Sequence, residues 1–95
     1  MIYQKFRITG RVQGVFYRQS TQQQATQLGL LGWVQNQPNG DVLVYVKGEP
    51  TSCKALEDWL KIGPPSAQVS EVTDCPLTQE EKTQLNNLSD FKIVR

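Results

Sequence analysis

The chain has 95 residues and a mass of 10.8 kDa, and 38% of it is hydrophobic, with two Trp, three Tyr and three Phe; this is enough for one core, so one domain over 1–95 is expected and neither a second domain nor a disordered chain is. Ten basic against nine acidic side chains leave a net charge of +1, which excludes a strong field for a nucleic-acid backbone or an anionic membrane, and an anionic ligand would need a local site. Histidine is absent, which removes Ser-His-Asp and Cys-His nucleophile systems, a His general base and the common His-ligated zinc sites.

In chain order, Met1 to Lys5 lacks the basic-then-apolar layout of a signal peptide. No apolar run approaches the roughly 20 residues of a spanning helix, so a cytoplasmic, soluble chain is expected. Ile2, Phe6 and Ile8 alternate with Tyr3, Lys5, Arg7 and Thr9, a period near two that predicts a strand over Ile2–Thr9 with one buried face. From about Phe16 to Leu28 there is no Gly or Pro, Thr21, Ala25 and Leu28 fall at helical spacing, and Gly29 stands where a C-cap glycine belongs. The Gln-rich stretch Gln19–Gln27 reads as the solvated face of that helix rather than a prion-like tract.

Gly32–Asn36 and Asp41–Lys47 are β-favouring runs around Gln37-Pro38-Asn39-Gly40, whose Pro and Asn-Gly suit a tight reversal, so a hairpin is expected. Pro50 opens a second helix, with Leu56, Trp59 and Leu60 as its apolar stripe and Gly63-Pro64-Pro65 as its stop. Val69–Cys75 is a fourth strand and Phe91–Arg95 a short fifth. Between them Thr78-Gln79-Glu80-Glu81 has capping-box spacing, read as a loop with one helical turn. Cys53 and Cys75 are too few for a disulfide framework and lack Cys-x-x-Cys spacing; they read as inert thiols, with one disulfide open if the fold juxtaposes them. The order strand, helix, strand, strand, helix, strand, strand suggests a split βαβ arrangement, an α+β ferredoxin-like two-layer sandwich. Its sheet is mostly antiparallel with two helices on one face.

Chemistry concentrates between the first strand and the first helix. Backbone N–H groups at a helix start lack internal partners and lie at the positive end of the macrodipole, which suits a tetrahedral anion. Gly14 lets the backbone curl around such a ligand, and Arg18 on the first turn can grip two phosphate oxygens with its fork of donors. On these residues alone two readings stay open: a phosphate site, or a common glycine turn followed by a surface arginine. Asn36, one residue before the hairpin turn, serves either turn geometry or a water molecule, which its amide can orient but cannot deprotonate.

Gly10-Arg11-Val12-Gln13-Gly14-Val15-Phe16-Tyr17-Arg18 closely resembles the acylphosphatase signature Gly-x-Val-Gln-Gly-Val-x-Phe-Arg, with only Tyr17 departing where Phe or Met is usual. A second signature of that family matches Gly32-Trp33-Val34-Gln35-Asn36, Gly40-Asp41-Val42 and Gly48. The second helix with its stop, the Val-x-x-Val strand and the closing Phe-x-Ile are also similar to the family, so the resemblance spans nearly the whole chain. It implies hydrolysis of acyl phosphates, mixed carboxylic-phosphoric anhydrides, to a carboxylate and inorganic phosphate. By motif, the phosphoryl group falls to the backbone of Gln13, Gly14, Val15, Phe16, Tyr17 and Arg18 and to the Arg18 side chain, and the attacking water to Asn36. The resemblance further implies a substrate phosphate oxygen as proton acceptor, with no metal and no cofactor. Tyr17, and Gln37 where many relatives carry a small hydroxyl residue, put rate and binding strength in question.

The expected partner is a small-molecule acyl phosphate, with inorganic phosphate as product and competitive inhibitor. A monomer is expected, with no nucleic-acid or membrane partner. An RNA-recognition sheet shares this architecture, but its Lys/Arg-Gly-aromatic-Gly-aromatic run is missing. A catalytically weak anion-binding or regulatory module on the same fold would carry the same residues, and only an assay separates it from the enzyme.

Overall fold

Alternation along the first strand decides which face of the molecule is buried. In the computed structural model, which describes residues 1–94, that strand is β1 (Ile2–Arg11), followed by α1 (Tyr17–Gln27), β2 (Leu31–Asn36), β3 (Val42–Gly48), α2 (Pro50–Leu60), β4 (Gln68–Cys75), α3 (Gln79–Asn86) and β5 (Phe91–Val94). Arg95, the last residue of the expected fifth strand, lies outside the described residues. The sheet order is β4-β1-β3-β2-β5, with every pairing antiparallel except the parallel β2–β5 pair. The fold is the ferredoxin-like sandwich.

Phe6 and Ile8 lie opposite Val44 and Val42 of β3, and all four are fully buried. They pack, with Val34 and Val46, against Ala25 of α1 and Cys53, Leu56 and Leu60 of α2. Burying a Val, Leu or Ile side chain contributes about 1.5–3 kcal/mol, so this shared layer holds both helices on one face of the sheet. Cys53 sits in that layer while Cys75 ends β4, and both are free thiols. Within β1 the register slips between Thr9 and Gly10. Gly10 has φ 118°, and a Cβ there would collide with the Gln68 carbonyl oxygen, so the bulge that aims the strand end toward α1 requires glycine.

The stretch read as a loop with one turn is instead α3, an eight-residue helix on the opposite face of the sheet. Side chains that alternate away from the main core, Trp33 and Tyr45, stack there with ring centroids 4.2 Å apart, and Leu85 of α3 is fully buried against them. A complete capping box starts the helix: the Thr78 hydroxyl accepts from the Glu81 N–H at 3.1 Å and the Glu81 carboxylate accepts from the Thr78 N–H at 3.0 Å. The Lys5 ammonium, 3.2 Å from Glu81, ties the cap to β1. Among the described residues no helix is long and apolar enough to cross a membrane.

Candidate functional site

Two buried valines anchor the segment that joins β1 to α1. Val12 and Val15 are in the main core, whereas Gly14 and Phe16 face outward. Gly14 has φ 73° and Phe16 φ 62°, while Val15 between them keeps a negative φ. Such alternation turns successive N–H groups toward one side, forming a backbone nest for an anion. A Cβ on Gly14 would meet no atom within 4 Å, so its role comes from the left-handed backbone rather than from crowding. Phe16 is the one non-glycine residue with positive φ among the described residues. For an aromatic residue this conformation costs on the order of 1–2 kcal/mol, and strain of this kind gathers at functional sites.

Phe16 is also the N-cap of α1, and no side chain caps that helix or places a carboxylate in its first turn. Among the described residues, no acceptor takes the backbone N–H groups of residues 13–19, and the first bond of the helix runs from the Ser20 N–H to the Phe16 carbonyl at 3.0 Å. These groups border a cavity of about 190 Å³ whose lining includes Gln13, Gly14, Phe16, Tyr17, Arg18 and Asn36. Arg18, half-buried on the first turn, has no carboxylate within 4.0 Å among the described residues. Asn36 ends β2 opposite Val42, and its Oδ1 is buried without a hydrogen-bond partner among the described residues. A buried acceptor left without a donor costs about 1–3 kcal/mol, and the residue that carries it borders the cavity. Val15 does not line the cavity, since its side chain belongs to the core.

Tyr17 borders the cavity yet is only 1% exposed. Its ring is tilted against Trp59 at 5.9 Å, and its hydroxyl donates to the Leu60 carbonyl at 2.7 Å. Burial pushes the phenol far above its ordinary pKa. Where the motif it resembles carries Phe or Met, this chain has a residue whose extra hydroxyl is satisfied at the end of α2. Asp41, at a variable position within the second motif, and Glu49, directly after it, do not line the cavity. Asp41 is engaged with Asn39, accepting from Nδ2 at 3.2 Å and donating its N–H to Oδ1 at 3.0 Å, and Glu49 is the N-cap of α2. Among the described residues there is no cluster of three metal-ligating side chains.

The motif reading overlooked one side chain that links two elements of the candidate site. Gln13 entered it through its backbone, yet its Nε2 donates to the Gln37 carbonyl at 2.8 Å and to the Asp41 carbonyl at 2.9 Å, tying the loop to the β2–β3 hairpin. The available signal was an amide side chain in a segment otherwise made of Gly and apolar residues.

With the geometry in place, comparison with known proteins adds the chemistry. The family model described as Acylphosphatase matches residues 4–93. An acylphosphatase of Marinobacter nauticus is 51% identical over 75 residues, 77% of this chain and 82% of that protein. One from Actinobacillus succinogenes is 40% identical over 95 residues, the full length of both. The solved structure of an acylphosphatase from Coxiella burnetii superimposes with a TM-score of 0.84 at 37% identity, covering 97% of this chain and 90% of that one.

Proposed function

The chain belongs to the acylphosphatase family, a hydrolase acting on acid anhydrides, and we propose how its own residues divide the hydrolysis of an acyl phosphate to a carboxylate and inorganic phosphate. One observation supports the reading: a single cavity is bordered by the residues of an uncapped helix start, by Arg18 and by Asn36. The N–H groups from Gln13 to Arg18 hold the phosphoryl oxygens, helped by the positive end of the α1 dipole. Arg18 grips two of those oxygens and stabilises the charge that spreads over them in the transition state.

The Asn36 side-chain amide holds the attacking water and aims it at phosphorus. The water oxygen forms the new P–O bond as the bond to the acyl oxygen breaks, and the electron pair leaves with the carboxylate. That leaving group is stable as an anion near neutral pH and needs no protonation. The water proton passes to a phosphoryl oxygen of the substrate, which fits a cavity lined by no carboxylate and a chain without histidine. The reading uses no metal and no cofactor, because N–H dipoles and a guanidinium supply the positive charge. It takes residues 1–95 as one domain acting as a monomer on a small molecule, without a nucleic-acid partner. Two free thiols suit the reducing cytoplasm.

The test is hydrolysis of an aromatic acyl phosphate in excess EDTA, run beside a phosphate monoester. Turnover of the anhydride alone, inhibited competitively by inorganic phosphate, is expected. Loss of activity with EDTA, restored by a divalent ion, would defeat the metal-free reading. Phosphate binding without turnover would make the protein an anion-binding module instead.

A further inference from the structure

The loop that forms the anion nest and the strand that carries Asn36 belong to separate elements, and an in-line attack needs the two held in a fixed relation. The strand pairing provides this only as far as Ile8: Val42 of β3 pairs with both Ile8 of β1 and Asn36 of β2, whereas the nest lies beyond the end of β1. Among the described residues, the one direct polar link is the side chain of Gln13. Its amide hydrogens go to two carbonyls that already close the hairpin: the Asp41 carbonyl accepts from the Gln37 N–H at 2.8 Å, and the Gln37 carbonyl accepts from the Gly40 N–H at 3.1 Å. Gln13 Nε2 adds a second bond to each, at 2.9 and 2.8 Å. Both lone pairs of both oxygens are then used, and the amide orientation is unambiguous because both partners can only accept.

We propose that the Gln13 side chain is a positioning residue for catalysis: it sets the hairpin, and with it Asn36, at the distance from the nest that places the water behind phosphorus. Gln37 directly follows Asn36, so a bond to its carbonyl fixes the Gln37–Pro38 peptide, one residue beyond the water-holding side chain. Two bonds to the two sides of the hairpin end hold its tilt as well as its distance, which one bond would not. The role asks for a side chain with two hydrogens on one atom at the reach of glutamine; an aliphatic chain of equal length leaves both carbonyls short of a donor, and a carboxylate turns attraction into repulsion. Misplacement by about 1 Å can cost as much as ~100-fold in rate.

The inference rests on the reading in which nest and Asn36 act together, and its test separates the two. Steady-state kinetics on an aromatic acyl phosphate and inhibition by inorganic phosphate are measured for wild type, Gln13→Met, Gln13→Glu, Asn36→Ala and the Gln13→Met/Asn36→Ala double variant. Gln13→Met is expected to lower kcat about tenfold while the phosphate inhibition constant stays within about twofold, because the nest is built from the loop's own backbone. Gln13→Glu is expected to lower kcat further. In the Asn36→Ala background, Gln13→Met should change kcat by less than about twofold, since a residue that acts through Asn36 has nothing left to position.

Phosphate inhibition reports a folded nest in each variant. Wild-type kcat in Gln13→Met with only a lowered Tm would make the amide a structural tie and overturn the proposal. Losses that multiply independently in the double variant would overturn it too, as would a weakened phosphate inhibition constant at unchanged kcat. An Asn36→Ala variant with wild-type kcat would overturn both this inference and the Asn36 role, whereas a defective Asn36→Ala beside an unaffected Gln13→Met would overturn this inference alone.

Discussion

The two polar helices of the molecule, α1 and α3, begin in opposite ways. At α3, Thr78 takes the extended conformation of an N-cap and exchanges hydrogen bonds with Glu81, and two carboxylates, Glu80 and Glu81, lie in the first turn. At α1 the N-cap is Phe16 in the left-handed region, no side chain caps the helix, and no acid lies in the first turn. A capping side chain contributes about 1 kcal/mol, and the left-handed phenylalanine costs about as much again. The start of α1 is therefore the poorer by every local criterion. Where a helix has only to be stable, its side chains satisfy its own N–H groups; where those groups are left open beside an arginine and a cavity, they are available to a ligand.

The largest expected effect comes from removing the ligand's partners at the open start. Arg18→Ala should lower kcat/KM by ~100-fold or more, and Arg18→Lys almost as much, because a lysine keeps the charge but cannot make the bidentate grip. Wild-type kcat/KM in Arg18→Lys would show that charge alone suffices. Asn36→Ala should reduce kcat by a similar ~100-fold yet leave equilibrium binding of inorganic phosphate nearly intact, since in the proposed mechanism its amide holds the water. A large loss of phosphate affinity in that folded variant would move Asn36 into the anion nest.

The comparison itself can be broken by making α1 begin more like α3. Phe16→Asp places a carboxylate at the open N–H groups and puts a residue that tolerates the left-handed backbone where an exposed aromatic now stands. Stability should rise by about 1 kcal/mol through the helix dipole and relieved strain, or roughly 4–8 °C in Tm for a domain of this size. The phosphate inhibition constant should weaken about tenfold, the carboxylate occupying and repelling the same site. A more stable variant with undiminished phosphate binding would mean that the open start is not where the anion sits.

The contrast between the two helix starts was only half legible in the amino-acid sequence. The strand alternation of Phe6 and Ile8, the stripe of Leu56 and Leu60, and the Pro-Asn-Gly reversal are local patterns, and each marks its element because burial on one face leaves a period. Arg18, Asn36 and the Gly14 turn were legible for a different reason, as matches to a motif. The extent of α3 was not: Gln79–Asn86 buries a single residue, Leu85, and what holds it, the Trp33–Tyr45 stack, comes from two distant strands. The Gln13 clip was hidden because its acceptors are main-chain carbonyls, which every residue carries. The same holds for the Tyr17 hydroxyl on the Leu60 carbonyl. The left-handed Phe16 runs against its own residue preference, and only the assembled loop imposes it.

The capped start supplies the control. Thr78→Ala removes the hydroxyl that accepts from the Glu81 N–H and should cost about 1 kcal/mol of stability. Activity per folded molecule should not change, because α3 lies on the far face of the sheet from the cavity. Chemical denaturation and kcat measured on the same preparation check both halves, and a fall in kcat would show that α3 communicates with the nest.

The smallest effect is a pH dependence confined to the capped start. Burial works to raise the Glu81 pKa, but the hydrogen bond from the Thr78 N–H and the nearby Lys5 ammonium outweigh it, so the carboxyl lies below its ordinary value. A carboxyl with a depressed folded pKa adds stability that is present above its unfolded pKa, near 4.3, and is lost as pH falls through the folded value. Lys5 has the opposite sign. Burial lowers its pKa, the Glu81 and Tyr45 interactions more than offset this, and the net rise gives stability present below the unfolded pKa and lost only as pH climbs through the folded one. Between those limits the pair is constant, worth no more than about 1 kcal/mol for an ion pair at the surface. Wild type should therefore exceed Glu81→Gln by a steady margin in urea unfolding from pH 6 to 9, and the margin should shrink as pH drops from about 4 toward 2. A margin unchanged at pH 2 would mean that the glutamate stabilises α3 through the shape of its cap rather than through its charge.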